Sequence, residues 1–214
     1  MTQRSFSGLF VAEGTSDEPL AEIVESLFFE RGISLRLSKP DYTMLGRVKK
    51  DVESRVRAGV ELIGRTPDVI VVHRDSDNVD PEERRAEIES GVRNVATESH
   101  HIPVIPIKMT EAWLLLDEGA IRMAAGNPAG RIALGLPKAN EVESRADPKA
   151  ILSECILKAS ELTGRRRDKL SKRFPRNRRQ IFEKLNTRGS ITTLTSWISL
   201  IADIDRVVLD LHNE

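Results

Sequence analysis

The sequence has few of the residues on which disulfide-rich, zinc-binding and base-stacking proteins depend. Its single cysteine, Cys155, excludes an intramolecular disulfide and a cysteine-rich zinc site, which agrees with a reducing compartment. The four histidines do not follow a zinc-ligand spacing. Aromatic residues make up 4% of the chain, so an aromatic platform of the kind that stacks single-stranded bases is not expected.

Long apolar runs and net charge are also absent. The first ten residues lack the apolar core of a signal peptide, and no run of about 18 apolar residues occurs that would cross a membrane. We therefore expect a soluble, cytoplasmic protein that does not associate with membranes. The 33 basic and 33 acidic residues cancel, so any attraction to nucleic acid must come from local charge rather than from the whole molecule.

Apolar segments and helical patterns alternate along the first part of the chain. Short apolar segments predict β-strands at residues 9–12, 33–37, 69–73 and 102–107. Amphipathic spacing and helix-opening residues predict helices at residues 20–28, 45–63, 81–96 and 110–117. This alternation predicts an α/β fold in which a largely parallel sheet is flanked by helices.

The pattern changes after residue 126. Residues 127–147 are rich in glycine, proline and polar side chains and predict an excursion loop. Asp147-Pro148 then opens a further helix, and apolar residues from Thr192 to Leu211 predict a last one. The length of 214 residues suits an α/β domain at residues 1–126 with a loop and helical C-terminal region, residues 127–214, packed on it.

Acidic residues follow two of the predicted strands. Glu13 comes after the strand at 9–12, and Asp75 and Asp77 come after the strand at 69–73. Because the carboxyl ends of parallel strands share one edge of a sheet, these three carboxylates are expected to meet there. Carboxylates held together repel unless a cation neutralises them, and hard oxygen ligands suit Mg²⁺ or Mn²⁺. Gly14 would let a phosphate approach the backbone and the following helix.

Each acidic motif also has a structural explanation. An Asp-x-Asp sequence after a strand is common in turns, because aspartate bonds its own backbone. Asp80 is explained by capping of the helix that begins at Pro81, and His73 by burial at a strand end. The occurrence of both acidic motifs at strand ends, in this order, favours the metal site over the turn.

These motifs resemble the Toprim domain of topoisomerases, primases and the overcoming-lysogenization-defect nucleases. The resemblance rests on Val-Ala-Glu-Gly-Thr-Ser-Asp at 11–17 and Asp-Ser-Asp at 75–77, and it extends over nearly the whole chain. Glu-Ala-Trp-Leu-Leu-Leu-Asp at 111–117, and Asp-Pro-Lys at 147–149 with the Lys/Arg-rich residues after it, resemble a narrower Toprim-like branch. Members of that branch are related to these nucleases and are often encoded beside P-loop ATPases in bacterial defence systems.

The resemblance implies a role for several side chains. Glu13 would be a general acid or base, or a metal ligand, and Asp75 and Asp77 would hold Mg²⁺ or Mn²⁺. In the nucleases a second metal and a lysine join them, and here Glu111 would bind that metal and Lys108 would steady the transition-state charge. Two metals would activate water and stabilise the leaving oxygen of a phosphodiester.

Some residues depart from this pattern or have a second interpretation. Asn78, not an acid, follows Asp77, and the only tyrosine, Tyr42, lies in a loop-like segment with a structural role, so we set topoisomerase activity aside. Residues 111–117 also fit a helix with Glu111 in its first turn and Trp113, Leu114 and Leu116 packed under the sheet. In that interpretation Asp117 ends the helix or caps the next one.

The local positive charge lies between Gly164 and Gln180, where nine basic residues surround one acid, Asp168. A solvated face is one explanation, and the neutralisation of nucleic-acid phosphates is the other. The acidic residues of segment 1–30 would also allow pairing with this segment within one chain or across a homo-oligomer. The residues expected to bind nucleic acid are Arg165, Arg166, Arg167, Lys169, Lys172 and Arg173.

The sequence thus predicts a Mg²⁺- or Mn²⁺-dependent phosphodiesterase, a DNA or RNA endonuclease that acts with a P-loop ATPase in anti-phage defence. The chain has no Walker motif, so ATP hydrolysis would have to come from that partner. The alternative is a non-catalytic Toprim-like subunit that binds nucleic acid or the ATPase. A primase-like nucleotidyl transferase ranks third, because no separate nucleotide-binding segment is evident.

Overall fold

A computed structural model describes residues 4–213 and confirms the predicted fold class. Four parallel strands form one sheet in the order β2-β1-β3-β4, and helices flank it. The strands are β1 (Ser5–Val11), β2 (Ser34–Ser38), β3 (Val69–His73) and β4 (His100–Val104). The connection after β1 runs toward β2 and the connection after β3 runs the opposite way, toward β4, so a topological switch point lies between β1 and β3.

Three short 3₁₀ turns lie among the helices of the described residues, the last at Ser190–Thr193. Two of those turns, at Thr15–Asp17 and Tyr42–Leu45, precede the first two helices. The helices are α1 (Pro19–Phe29), α2 (Val52–Ile63), α3 (Pro81–Arg93), α4 (Glu111–Leu114), α5 (Glu118–Ala124), α6 (Ala139–Val142), α7 (Pro148–Ala159), α8 (Gly164–Ser171), α9 (Phe174–Phe182) and α10 (Thr195–Asn213).

The helix predicted at residues 45–63 is shorter than expected. It begins only at Val52, because the carboxylate of Asp51 accepts a hydrogen bond from the Ser54 amide at 2.8 Å and caps the helix there. Gly46 has φ 73°, which ends the preceding 3₁₀ turn. The spacing of the valines predicted a helix from residue 45, but the cap at Asp51 keeps the residues before Val52 out of it.

The helix predicted at residues 110–117 is shorter than expected, because α4 ends at Leu114. Asp117 caps the next helix, α5, by accepting a hydrogen bond from the Ala120 amide at 2.9 Å, as the helical interpretation of this motif predicted. Trp113 and Leu114 are fully buried, as the helical interpretation of this motif predicted, but Leu115 rather than Leu116 is the third buried side chain. The predicted excursion loop at 127–147 contains the short helix α6.

The structure divides into two compact units. The first consists of the described residues up to Arg74, Val79–Ile105 and the chain from Ser199 onward; the second consists of Asp75–Asn78 and Pro106–Ile198. This division differs from the boundary expected at residue 126. It arises because the chain leaves the sheet unit after β4 and rejoins it within α10.

In the first unit one face of the sheet packs against α2 and α3. Parallel register pairs Leu9 with Ile70 and Val11 with Val72, so that their side chains point to the same face. The cluster on this face is completed by buried residues of the two helices and the β4 exit: Val52, Val56, Ile88, Val92, Ala96 and Ile105.

In the second unit two tryptophans form the centre of the core. The rings of Trp113 and Trp197 meet edge to face, with centroids 5.2 Å apart and planes at 83°. The indole N–H of Trp113 donates to the Ser196 hydroxyl at 2.7 Å, and the Ser196 amide donates to the Glu143 carboxylate at 3.0 Å. The beginning of α10 is therefore fixed by both apolar packing and a capping carboxylate.

Within the described part of the chain, every helix is too short or too polar to span a lipid bilayer.

A substitution of Gly91 tests the packing of α3 on α2. A methyl group at Gly91 would lie 2.8 Å from Cγ1 and 2.9 Å from Cβ of Val52, and 3.0 Å from the Glu53 amide nitrogen. Because a backbone atom cannot move aside, we expect Gly91→Ala to lower the free energy of unfolding by about 1–3 kcal/mol. Denaturant unfolding followed by circular dichroism measures it. Gly119→Ala, where the nearest atom lies 3.4 Å away, should be neutral or slightly stabilising.

Candidate active site

In the second unit two segments that follow β3 and β4 in the chain lie side by side. The Ser76 amide donates to the Pro106 carbonyl at 3.1 Å, and the Asp77 amide donates to the Lys108 carbonyl at 2.9 Å. The Lys108 amide in turn donates to the hydroxyl of Ser76, a buried side chain, at 2.9 Å. We call segments 75–78 and 106–110 the loop pair. The predicted site residues Asp75, Asp77 and Lys108 therefore lie on two neighbouring loop segments that are joined by backbone hydrogen bonds.

The loop pair holds two of its residues in the left-handed backbone region. Asp77 has φ 52° and Lys108 has φ 65°, and within residues 4–213 Glu161 is the only other residue besides glycine with a positive φ. Aspartate tolerates this region, whereas lysine adopts it rarely and at a cost of roughly 1–2 kcal/mol. Such conformations persist where the surroundings enforce them, and they cluster at functional sites.

Thr110 orients the carboxylate of Asp75. Its Oδ1 atom accepts hydrogen bonds from both the amide and the hydroxyl of Thr110, each at 2.9 Å. Thr110 is fully buried and Asp75 is half-buried, whereas Asp77 is exposed. Thr110 was predicted only as the entry to a helix, because a hydrogen bond between residues 35 apart leaves no signal in the sequence.

Lys108 has a side-chain partner within the loop pair. Its ammonium Nζ donates to the Asn78 carbonyl Oδ1 at 3.1 Å, and the side chain is half-buried. The positive charge is therefore held on the same short stretch of structure as Asp77. A lysine in this position can offset negative charge that develops on a bound phosphate.

Glu111, the predicted ligand of a second metal, forms a buried ion pair. Its Oε1 accepts a hydrogen bond from Arg178 Nε at 2.8 Å, and the two side chains are 6% and 7% exposed. The Arg178 guanidinium also lies over the Phe182 ring, 4.8 Å from its centroid. Arg178 already neutralises the Glu111 carboxylate, and both groups are buried away from water. The position of Glu111 therefore favours the interpretation as a helix start over that as a metal ligand.

Glu13 lies in the first unit, just after the end of β1. Its exposed carboxylate is 3.2 Å from an Nη atom of Arg74, which also lies 3.5 Å from Glu87 and donates to the Lys50 carbonyl. Arg55 donates hydrogen bonds to the carbonyls of Ala12 and Glu13. The turn after β1 is thus held by two arginines.

A cavity of about 390 Å³ opens beside this turn in the first unit. Tyr42 lines it, and the Arg55 guanidinium packs over the Tyr42 ring at 5.7 Å from its centroid. Burial raises the pKa of Tyr42 to about 12, although the charge of Arg55 opposes the shift. The phenol is therefore protonated at neutral pH.

The side chains that could bind a divalent metal include only a few acids close together in the described residues. Residues 4–213 contain no group of three or more His, Cys, Asp or Glu side chains arranged around a common metal position. Mg²⁺, however, is commonly bound through one or two carboxylates, with water and substrate phosphates completing its shell. Asp75, oriented by Thr110, and Asp77, exposed on the same loop, fit this open type of site.

The basic segment of the second unit is a surface. It forms α8 and α9, and within the described residues none of the six side chains expected to bind nucleic acid pairs with an acid. Two other arginines of this segment do pair with acids: Arg178 is buried against Glu111, and Arg179 pairs with Glu183 on the surface. We call the exposed residues the basic face: Arg165, Arg166, Arg167, Lys169, Lys172 and Arg173.

No protein-family model, curated protein or solved structure matched this chain when it was compared with them. The Toprim resemblance and the roles it implies for Glu13, Asp75 and Asp77 therefore remain predictions. We base the proposed function on the geometry of the second unit.

Removal of Arg178 tests the buried ion pair. Arg178→Ala would leave the Glu111 carboxylate buried without its guanidinium, so we expect a loss of about 3–5 kcal/mol in the free energy of unfolding. Arg179→Ala is the matched control, because its partner Glu183 and Arg179 itself are each 53% exposed and the loss should stay below about 1 kcal/mol. Equal midpoints of urea unfolding for the two variants would contradict the assignment.

Proposed function

We propose that the protein is a divalent-metal-dependent phosphodiesterase, a DNA or RNA endonuclease whose Mg²⁺ or Mn²⁺ is held by Asp75 and Asp77. The observation that carries this proposal is the enforced left-handed conformation of Asp77 and Lys108, joined by a 2.9 Å backbone hydrogen bond. Both residues carry side chains of the proposed chemistry, and the cost of this conformation at Lys108 is better explained by function than by stability.

Each residue of the loop pair has a role in this proposal. When bound, the metal supplies Lewis-acid stabilisation of phosphoryl oxygens and lowers the pKa of water. Asp75 presents an oriented carboxylate to it, and Asp77 presents an exposed one. Lys108 offsets the charge that builds up on the phosphodiester, and its hydrogen bond to Asn78 limits how far its ammonium group can move.

The basic face supports a polyanionic substrate. Its six cations lie in the same unit as the loop pair and are not neutralised by acids of the described chain. Such a surface binds phosphates without reading base sequence, and binding weakens as salt rises because counterions are released. It accounts for nucleic-acid affinity in a chain whose formal net charge is zero.

The wider biological role follows from the Toprim resemblance. We propose that the enzyme acts in the cytoplasm in anti-phage defence, together with a P-loop ATPase encoded nearby. A separate ATPase is required for any ATP-driven step, because the chain has no Walker motif. Glu13, to which the resemblance also gives a catalytic or metal-binding role, is paired with Arg74 in the first unit, and we build no step on it.

A non-catalytic subunit that binds nucleic acid or an ATPase is the second candidate. It is favoured by the lack of a three-donor metal cluster in residues 4–213 and by the ion pairs that occupy Glu13 and Glu111. This candidate keeps the basic face and predicts binding without cleavage.

Cleavage by the purified protein separates the two candidates. With supercoiled plasmid and with single-stranded RNA as substrates, we expect cleavage in Mn²⁺ that EDTA abolishes. Asp75→Asn should lower the rate by at least about 100-fold, because it removes a metal-binding charge. Asp205→Asn, at an exposed residue of α10 that pairs with Arg31, is the control. Cleavage that survives Asp75→Asn, or binding without any cleavage even when the ATPase is added, would count against the enzyme.

The conformation of Lys108 gives a second test. Lys108→Gly relieves the positive-φ cost and should raise the free energy of unfolding by up to about 1 kcal/mol, while cleavage falls because the ammonium group is lost. Glu161→Gly is the matched control, since Glu161 has φ 55° at the end of α7, and it should leave cleavage unchanged. Thermal unfolding and initial cleavage rates measure the two effects. A Lys108→Gly protein with full activity would remove the main support for the proposal.

A further inference from the structure

A run of buried contacts leads from α9 to the Asp75 carboxylate within the second unit. Arg178 of α9 holds Glu111, the next residue toward the N-terminus is Thr110, and Thr110 donates two hydrogen bonds to Asp75 Oδ1. Counted over the whole residue, the exposed fractions of Thr110, Glu111 and Arg178 are 0%, 4% and 6%. Water therefore has little access to these bonds, and a side chain held in this way has little freedom to turn.

One of the two hydrogen bonds from Thr110 comes from the backbone and the other from the side chain, so a substitution can remove the second alone. The amide donor belongs to the backbone and is present whatever residue occupies position 110. The hydroxyl donor belongs to the side chain and is lost in valine, which has nearly the same shape. A carboxylate that accepts two hydrogen bonds on one oxygen is fixed in rotation about its Cβ–Cγ bond, and it turns more freely when one is removed.

The ion pair explains why position 110 itself does not move. Glu111 begins α4, and its carboxylate pairs with the Arg178 guanidinium. That guanidinium in turn stacks on the ring of Phe182. A shift of the backbone at Thr110 would also displace Glu111 and disrupt its buried ion pair with Arg178. Positioning of a ligand by residues that do not touch the metal changes metal affinity by about 10–100-fold in other proteins.

We infer that Thr110 is a positioning residue for the metal site, acting through its hydroxyl on Asp75 and held in place by Glu111 and Arg178. This inference rests on the proposed function, because it concerns the same Asp75. It assigns Glu111 to the support of the site and not to a second metal. It also makes α9, which Arg178 ties to this support, part of the structure that sets metal affinity.

The test measures Mn²⁺ binding directly, without reference to cleavage. The dissociation constant is obtained from the electron paramagnetic resonance signal of free Mn²⁺ for the wild type, Thr110→Val, Thr110→Ser and Asp75→Asn. We expect Thr110→Val to weaken binding about 10-fold or more and Thr110→Ser, which keeps the hydroxyl, to stay within about twofold of the wild type. Thr193→Val is the control, because its exposed hydroxyl donates only to the Ser190 carbonyl.

A second variant covers the case in which Thr110→Val does not fold, as judged by circular dichroism. Thr110→Cys replaces the hydroxyl by a thiol, a weaker donor, and should give a loss of Mn²⁺ affinity between those of the serine and valine variants. Folded valine or cysteine variants that bind Mn²⁺ as tightly as the wild type would overturn the role of Thr110 while leaving the proposed function intact. A wild type without Mn²⁺ affinity, or an Asp75→Asn variant with full affinity, would overturn the proposed function and this inference together.

Discussion

The hydrogen bonds that join segments 75–78 and 106–110 are the constraint on which the candidate site depends. Without them Asp77 and Lys108 would relax to ordinary backbone conformations, and Asp75 would lose the neighbour that fixes its oxygen. The segments follow two adjacent parallel strands, β3 and β4. A parallel sheet brings the chain to the same edge after each strand, so the fold supplies the proximity and the hydrogen bonds refine it.

Basic and acidic residues are equal in number, and several of them form ion pairs. Glu111 and Arg178 form a buried pair, Arg85 and Asp203 a partly buried one, and Glu13 shares Arg74 with Glu87. The basic face has no such partners in the described chain, which is how a molecule of zero formal charge can present a cationic surface. A buried pair that holds a backbone segment in place contributes specificity even where its net contribution to stability is small.

Much of the fold could be read from the sequence, and much of the site could not. Strand β3 was predicted to the residue, and the caps at Asp80 and Asp147 act as expected, because apolar runs and helix caps are local signals. The start of α2 was missed, because capping by Asp51 overrode the apolar periodicity, whereas the capping role of Asp117 was among the predictions. The role of Thr110 has no local signal in the sequence, and neither has the pairing of Glu111 with Arg178, 67 residues away.

The sequence by itself determined the class of fold, the acids that follow the strands and the presence of a basic segment, since each depends on residues close together in the chain. Tertiary structure alone decided which charges meet. It turned Arg178 inward to Glu111 while the other basic residues of α8 and α9 stayed exposed, and it placed the Lys108 ammonium against Asn78. The physical reason is that hydrogen bonds and ion pairs act over about 3 Å in space, and distance along the chain does not predict distance in space.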